Sequence, residues 1–151
     1  DCHRETTGEE ILQQLDEVGA FVAGVGTGGT LMGVAEALRK KFPGVKIVAV
    51  EPAESAVLSG SEPSMHKIQG IGSGFIPKIV DLSKIDEVVT VRSDDAIEMT
   101  RKLARKDGLF VGISSGANVL ASLKISEKLP NRTVVTVLPD SADRYLSMEL
   151  F

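Results

Sequence analysis

The chain has 151 residues, of which 42% are hydrophobic and 25% charged, and this composition predicts one folded domain with a substantial core. Its formal net charge is −4 and its 17 Lys and Arg residues form no run, so nucleic-acid binding is disfavoured. No apolar stretch approaches the roughly 20 residues of a membrane span, no signal peptide is evident, and the single cysteine, Cys2, excludes an internal disulfide; these features predict a soluble protein of the reducing cytoplasm.

The first third of the chain predicts a helix, a buried strand and a second helix. Thr6 and Thr7 are typical helix caps, and apolar spacing continues to Gly19, where the first helix is expected to end. Residues 20–25 form an apolar run that is short enough for a buried parallel strand. Residues 31–41 have the apolar spacing of a helix. His3, near the start of the chain, is expected to lie on an untethered terminus.

A glycine-rich turn joins the predicted strand to the second helix. Such a turn presents free backbone N–H groups and the positive end of a helix dipole to an anion. Glycine is needed because a side chain would keep a phosphate away from the backbone and would penalise a positive φ. The sequence therefore predicts a phosphate site formed by Gly26, Thr27, Gly28, Gly29 and Thr30.

Two other interpretations of this turn remain open on the sequence pattern. A plain βα connection without a ligand is possible, although four glycines within six residues exceed what a simple turn needs. The spacing Gly24-x-Gly26-x-x-Gly29 also fits a dinucleotide-binding fingerprint, with Glu51 placed where a ribose-binding acid would lie. A nucleoside triphosphate P-loop is disfavoured, because no Gly-Lys-Ser/Thr follows the glycines.

The middle of the chain predicts further strands, separated by a long loop and a helix. Residues 45–50 are expected to form a buried strand that stops at Pro52. Residues 53–78 form a loop whose length favours function, and glycines at 70, 72 and 74 would let its backbone approach a ligand. Residues 87–91 are predicted as a strand and residues 96–106 as a helix.

The last third repeats the strand, small-residue turn and helix of the first. Residues 109–113 are predicted as a strand, Ser114-Ser115-Gly116 as the turn, and residues 117–128 as the helix. Residues 133–138 are the last expected strand, halted by Pro139. The alternation predicts an α/β fold with a mostly parallel sheet, in which ligands bind at the carboxyl ends of the strands.

Several motifs in order resemble one enzyme family. The chain is similar to the C-terminal half of cysteine synthase (O-acetylserine sulfhydrylase), a fold-type II pyridoxal-phosphate enzyme, and the resemblance covers essentially all 151 residues. Cystathionine β-synthase is the nearest alternative within that superfamily. The resemblance is carried by Thr6-Thr7-Gly8, Gly26-Thr27-Gly28-Gly29-Thr30, Val50-Glu51-Pro52-Ala53-Glu54-Ser55, His66-Lys67-Ile68-Gln69-Gly70-Ile71-Gly72, Gly112-Ile113-Ser114-Ser115-Gly116 and Arg144-Tyr145-Leu146-Ser147.

The resemblance implies a three-layer sandwich that forms an incomplete large C-terminal domain, here spanning residues 1–151. It implies that residues 26–30 hold the phosphate of pyridoxal 5'-phosphate, that Ser114 hydrogen-bonds its pyridine nitrogen, and that Gly70 closes on the substrate. A neutral hydroxyl at that nitrogen suits elimination of acetate from O-acetylserine and addition of sulfide, which need only a moderate electron sink. The family further implies a homodimer and a possible complex with serine acetyltransferase.

Departures from the family pattern set limits on this chain. The family's Schiff-base lysine and its substrate-carboxylate loop lie in the N-terminal half, and neither motif is present in these residues, so none is assigned a catalytic role. Residues 1–151 alone are therefore expected to bind the cofactor weakly and to lack catalysis. Ala142 and Asp143 stand where glycine and glutamate are expected. No metal site is predicted, because Cys2, His3 and His66 lack partners in the sequence.

Overall fold

The computed structural model of the protein describes residues 1–148. Its helices and strands alternate along most of the chain, as the hydrophobic runs predict. The helices are α1 (Cys2–Glu5), α2 (Thr7–Gln14), α3 (Gly29–Lys41), α4 (Ser93–Lys102) and α5 (Ile113–Lys128), and the strands are β1 (Ala20–Gly24), β2 (Lys46–Pro52), β3 (Glu87–Val91) and β4 (Val134–Thr136). Single turns of 3₁₀-helix cover Ala53–Ser55 and Leu82–Lys84, a π-helical turn covers Leu103–Asp107, and a longer 3₁₀ segment covers Ala142–Met148.

The four strands form one sheet in the order β3-β2-β1-β4, and all of its pairings are parallel. β1 lies inside the sheet, with Val22 opposite Val48 of β2 and Thr136 of β4. Its burial on both faces explains why its sequence is a continuous apolar run without alternation. The parallel arrangement brings the carboxyl ends of all four strands to one edge, as the α/β prediction requires.

Helices cover both faces of the sheet and make three layers. On one face, Val22 and Val48 pack with Ile113 and Ala117 of α5. On the other face, Phe21 of β1 packs with Leu31 and other residues of α3. Successive residues of a strand point to opposite faces, so one short apolar run supplies both cores. The predicted three-layer α/β sandwich is confirmed.

Some predicted element bounds are wrong, for physical reasons that the structure shows. The first helix ends at Gln14 and not near Gly19, because Leu15 turns to an extended conformation (φ −129°, ψ 134°). Val18 still reaches the core from that extended segment, so its apolar spacing imitated a longer helix.

The predicted strand at residues 109–113 does not join the sheet. Leu109 and Phe110 are exposed, Val111 makes only an isolated antiparallel bridge with Ser141, and α5 already begins at Ile113. The predicted strand at residues 133–138 is reduced to the three residues of β4. Within residues 1–148, no helix is both long and apolar enough to cross a membrane.

Candidate cofactor-binding site

The glycine-rich turn leads from β1 directly into α3. Gly28 precedes the first residue of the helix with φ 86° and ψ −4°, a left-handed conformation that favours glycine. The amide of Met32 is bonded to the carbonyl of Gly28, so the amides of Gly29, Thr30 and Leu31 precede the first hydrogen bond within the helix. These N–H groups and the helix dipole present hydrogen-bond donors and positive potential suited to an anion at the carboxyl end of β1.

Glycine is also required in this turn because other chain segments approach it closely. A Cβ on Gly26 would lie within 3.0 Å of the carbonyl oxygen of Gly70, and a Cβ on Gly28 would meet the side chain of Val80 equally closely. The turn is thus in close contact with the long loop of residues 53–86. A plain βα connection does not require such close approaches.

Residues 70–74 pack against the turn by two hydrogen bonds. The amide of Gly72 donates to the carbonyl of Val25 at 3.0 Å, and the hydroxyl of Ser73 donates to the carbonyl of Gly26 at 3.3 Å. Gly70, Gly72 and Gly74 all adopt positive φ, which accounts for the glycine spacing seen in the sequence. Gly70 itself is exposed, with backbone free of crowding around its Cα.

The predicted site residues lie around one cavity of about 400 Å³, a volume within the range of small-molecule sites. This cavity lies where β1 and β4 end. All seven predicted residues line it, namely Gly26, Thr27, Gly28, Gly29, Thr30, Gly70 and Ser114. Other lining residues were not predicted from the sequence, among them Gln69, Ile71, Asn118, Asp140, Arg144 and Tyr145.

Ser114 lies in the first turn of α5 and does not cap the helix. The residue that precedes the helix is Gly112, and no side chain caps this end. The Ser114 hydroxyl instead donates to Asp140 Oδ1 at 3.0 Å, and Ser115 donates to the same oxygen at 2.7 Å. Ser114 is 4% exposed, and its bond to Asp140 holds it at the cavity wall.

Asp140 also accepts a hydrogen bond from a third hydroxyl, which belongs to the 3₁₀ segment that follows it. The Tyr145 hydroxyl donates to Asp140 Oδ2 at 2.5 Å. Burial of the phenol, together with this bond to the carboxylate, raises the pKa of Tyr145 well above its usual range, so the phenol keeps its proton. Asp140 lies four residues beyond the end of β4, directly after Pro139, and the rule that ligands lie at the carboxyl ends of strands would have singled it out.

Asn118 of α5 completes the wall between β1 and β4. Its Oδ1 accepts the amide of Gly24 at 2.8 Å, and its Nδ2 donates to the carbonyl of Val137 at 2.9 Å. It thus bridges the two strands just beyond the point where their pairing ends. A mid-helix asparagine carries no sequence signal for this role, since it depends on a contact between residues far apart in the chain.

Glu51 does not fit the dinucleotide interpretation. Its carboxylate is 2% exposed and accepts the amides of Leu58 at 2.7 Å and Ser59 at 3.1 Å, as well as the Ser59 hydroxyl. The acid therefore fixes the start of the long loop and is not presented to a ribose. The glycine fingerprint is present without the acidic partner that a dinucleotide needs.

The start of the chain is not untethered. His3 contacts Thr7 Oγ1 through Nδ1 at 3.1 Å and Thr30 Oγ1 through Nε2 at 3.3 Å, so it connects the first two helices to the start of α3, beside the glycine-rich turn. Over residues 1–148, no group of three or more His, Cys, Asp or Glu side chains is placed to hold a metal ion.

The residues present fit a phosphate monoester that is attached to a polar aromatic ring. The N–H groups at the start of α3 offer donors to a phosphate, and glycine at 26 and 28 lets the long loop lie directly against this end of the cavity. Ser114 offers a hydroxyl oxygen to a ring atom, and Ile71 supplies an apolar contact.

Comparison with known families gives a match along most of the chain. The family described as "Pyridoxal-phosphate dependent enzyme" matches residues 2–140. Among curated proteins, a cysteine synthase of Staphylococcus aureus is 48% identical over 154 aligned residues, which cover 100% of this chain and 50% of the relative. A cysteine synthase B of Campylobacter jejuni is 53% identical, over 99% of this chain and 50% of the relative.

Solved structures share the fold at similar identity. O-Acetylserine sulfhydrylase isoform 3 from Entamoeba histolytica superposes with a TM-score of 0.93 at 47% identity, over 99% of this chain and 45% of that one. An O-acetylserine dependent cystathionine β-synthase from Helicobacter pylori gives a TM-score of 0.92 at 43% identity, over 99% and 49%. The chain therefore spans about half the length of the curated relatives and solved structures that it matches.

Proposed function

Since this chain belongs to the family of pyridoxal-phosphate dependent enzymes, we propose that its cavity holds the cofactor and that it serves as the phosphate- and ring-binding part of a cysteine synthase. In that reaction, O-acetylserine and sulfide give cysteine and acetate. The observation that carries the proposal is the convergence of the anion-binding turn, Gly70 and Ser114 on one cavity.

Each part of the cavity has a distinct task in this proposal. The N–H groups of residues 26–30 bind the phosphate and anchor one end of the ligand. Ser114 contacts the ring nitrogen and sets the orientation of the ring. The 70–74 segment forms the wall next to the phosphate turn, where the positive φ of Gly70 leaves room for a substrate beside the backbone.

Pyridoxal phosphate, when bound, supplies an electron sink that stabilises negative charge at the α-carbon of an amino-acid substrate. The residues of this chain bind and orient it and shape the space in which O-acetylserine would lie. Ser114 presents a neutral group to the ring, which suits a β-replacement that needs a moderate electron sink.

A cystathionine β-synthase-like activity is the second candidate. It is favoured by the similarity to the O-acetylserine dependent enzyme of Helicobacter pylori, which shares the fold at 43% identity. Assays of the full-length enzyme that contains this chain, supplied with O-acetylserine and either sulfide or a larger thiol such as homocysteine, separate the two. Cysteine formed faster from sulfide supports the first activity, and a preference for the larger thiol supports the second.

We further propose a homodimer and an interaction with serine acetyltransferase, both on the grounds of the family resemblance. The single cysteine favours a reducing compartment, so we place the reaction in the cytoplasm. Size-exclusion chromatography with light scattering tests the first, and co-purification with serine acetyltransferase tests the second.

The central experiment compares two glycines that have nearly the same positive φ. Gly28 has φ 86° and lies in the phosphate turn, whereas Gly60 has φ 88° and nothing within 4 Å of its would-be Cβ. Gly28→Val and Gly60→Val both place a side chain at a positive φ, but only the first also meets Val80 and thereby displaces the turn whose N–H groups would bind the phosphate. We expect Gly28→Val to weaken pyridoxal phosphate binding by tenfold or more, about 1.4 kcal/mol, in an absorbance titration.

Inorganic phosphate as a competitor identifies the part of the ligand that the turn binds. Phosphate should displace pyridoxal phosphate from the unmodified protein and should bind poorly to Gly28→Val. Full cofactor affinity in Gly28→Val, or equal losses in Gly28→Val and Gly60→Val, would refute the assignment of this turn.

A further inference from the structure

The His66 ring bonds to the backbone at both ends of a short segment in the cavity wall. Its Nδ1 lies 3.2 Å from the amide nitrogen of Ile68, and its Nε2 lies 3.0 Å from the carbonyl oxygen of Gly72. The three residues between these two contacts, 69–71, all line the candidate cofactor site. One side chain therefore joins both ends of the segment that faces the ligand.

The two bonds together determine which ring nitrogen of His66 carries the proton. A backbone amide can only donate, so Nδ1 must accept the Ile68 proton and carries no proton itself. A carbonyl oxygen can only accept, so Nε2 must hold the ring proton and donate it to Gly72. A single neutral tautomer of the ring therefore satisfies both bonds.

Packing holds the same segment at its two ends and leaves its centre open. Ile68 is fully buried in the core, and the Gly72 amide donates to the carbonyl of Val25 at 3.0 Å. A Cβ on Gly72 would lie 2.8 Å from His66 Nε2, so the ring lies directly against this backbone. Gly70, at the centre, has nothing within 4 Å of its would-be Cβ.

We infer that His66 is a positioning residue that holds the Gly70 backbone at the distance from the phosphate turn that an amino-acid substrate requires. The inference rests on the proposed function, because it takes the space beside Gly70 to be the place where O-acetylserine lies. Backbone groups bind a ligand more tightly when their orientation is fixed before the ligand arrives. Because both ends are held, the segment loses little conformational freedom when the substrate binds.

The test compares three substitutions of His66 in the full-length enzyme that contains this chain. His66→Ala removes both bonds. His66→Gln places an amide near the position of Nε2 and keeps a donor for the Gly72 carbonyl, whereas the shorter side chain of His66→Asn keeps only an acceptor for the Ile68 amide.

The expected result is a change in substrate binding that depends on the bond to Gly72. We expect His66→Ala and His66→Asn to raise the KM for O-acetylserine roughly fivefold, the effect of one lost hydrogen bond. Both kcat and the affinity for pyridoxal phosphate should stay within about twofold of the unmodified enzyme. His66→Gln should restore the KM, which a general loss of stability would not do.

Hydrogen exchange measured by mass spectrometry reports on the segment without any reaction. In the enzyme without substrate, the amides of residues 69–72 should exchange faster in His66→Ala and His66→Asn than in His66→Gln. Ser93→Ala is the matched control, since the Ser93 hydroxyl accepts the Lys67 amide at 2.9 Å and anchors the same loop outside the 68–72 segment. It should lower the melting temperature without raising the KM.

The outcomes separate this inference from the proposed function. Failure of the unmodified enzyme to bind pyridoxal phosphate or to use O-acetylserine would overturn both. Normal activity with an unchanged KM in His66→Ala and His66→Asn would overturn the inference alone. A KM in His66→Gln as high as in His66→Ala, or an equal rise in Ser93→Ala, would also overturn it, because His66 would then only stabilise the loop.

Discussion

The carbonyl oxygen of Gly70 lies in the space into which a side chain on Gly26 would project. Gly26 belongs to the phosphate turn and Gly70 to the long loop, so these two glycines mark the contact between the two halves of the candidate site. The bond from the Gly72 amide to the Val25 carbonyl at 3.0 Å holds the loop at this distance. The conformation of the loop is thus coupled to that of the turn.

Gly26→Ala is expected to push the 70–74 segment away from the phosphate turn. The added methyl meets backbone and not a flexible side chain, so relief requires movement of the loop, and overpacking of this kind typically costs about 1–3 kcal/mol. We expect a lower free energy of unfolding in urea and weaker pyridoxal phosphate binding. Gly44→Ala, at a glycine with nothing within 4 Å, is the matched control. Unchanged unfolding and binding in Gly26→Ala would show that the loop adapts freely.

Local patterns predicted the frame of the fold well. The strand predicted at residues 87–91 is β3, and the helix predicted at residues 31–41 is α3 with two further residues at its start. In both cases, the apolar period and the flanking turn residues lie within one short window. Ala142, which stands where glycine is expected, is buried in the 3₁₀ segment and does not adopt a positive φ, since Asn131 is the non-glycine residue with positive φ within residues 1–148.

The features that the sequence could not predict depend on contacts between residues that are distant in the chain. Residues 109–113 have the composition of a strand, but whether they pair is decided by where α5 begins and by Ser141. Asp140 meets Ser114 across 26 positions of sequence, so no local window contains the pair. Glu51 also could not be assigned from the sequence alone. Its spacing fitted a ribose-binding acid, but in the structure its carboxylate accepts hydrogen bonds from the amides of Leu58 and Ser59.

Ser114→Ala should weaken binding of the ring without releasing the phosphate. Removing one hydrogen bond is worth on the order of 1 kcal/mol, so we expect roughly a fivefold loss in pyridoxal phosphate affinity. Competition by inorganic phosphate should remain as in the unmodified protein. Ser122→Ala is the control, because its hydroxyl bonds to the Asn118 carbonyl in the same helix and does not line the cavity. An equal loss of affinity in the two variants would remove Ser114 from the site.

Asn118→Ala should destabilise the sheet at the floor of the cavity. The substitution leaves the amide of Gly24 and the carbonyl of Val137 without their side-chain partners, and an unsatisfied buried group costs about 1–3 kcal/mol. We expect a decrease of that size in the free energy of unfolding measured in urea. Ser126→Ala, at an exposed residue of the same helix, should change it by less than about 0.5 kcal/mol. Equal stability of the two variants would mean that β1 and β4 do not depend on this bridge.

Glu87 is expected to make stability depend on pH. Its carboxylate is bonded to Lys128 and to Lys46, so it links β3 to α5 and β2, and these bonds hold the pKa of Glu87 below its ordinary value. A lowered pKa in the folded state contributes stability above the ordinary pKa of 4.5, and this contribution is lost as the pH falls through the folded-state pKa.

Glu87→Gln should therefore lower the free energy of unfolding by about 0.5–1 kcal/mol at about pH 7, and the difference should shrink below about pH 4. Urea unfolding at both pH values measures it, with Glu127→Gln, an exposed residue of α5, as the control. A difference between Glu87→Gln and the unmodified protein that is the same at both pH values would show that the two lysines do not act through charge.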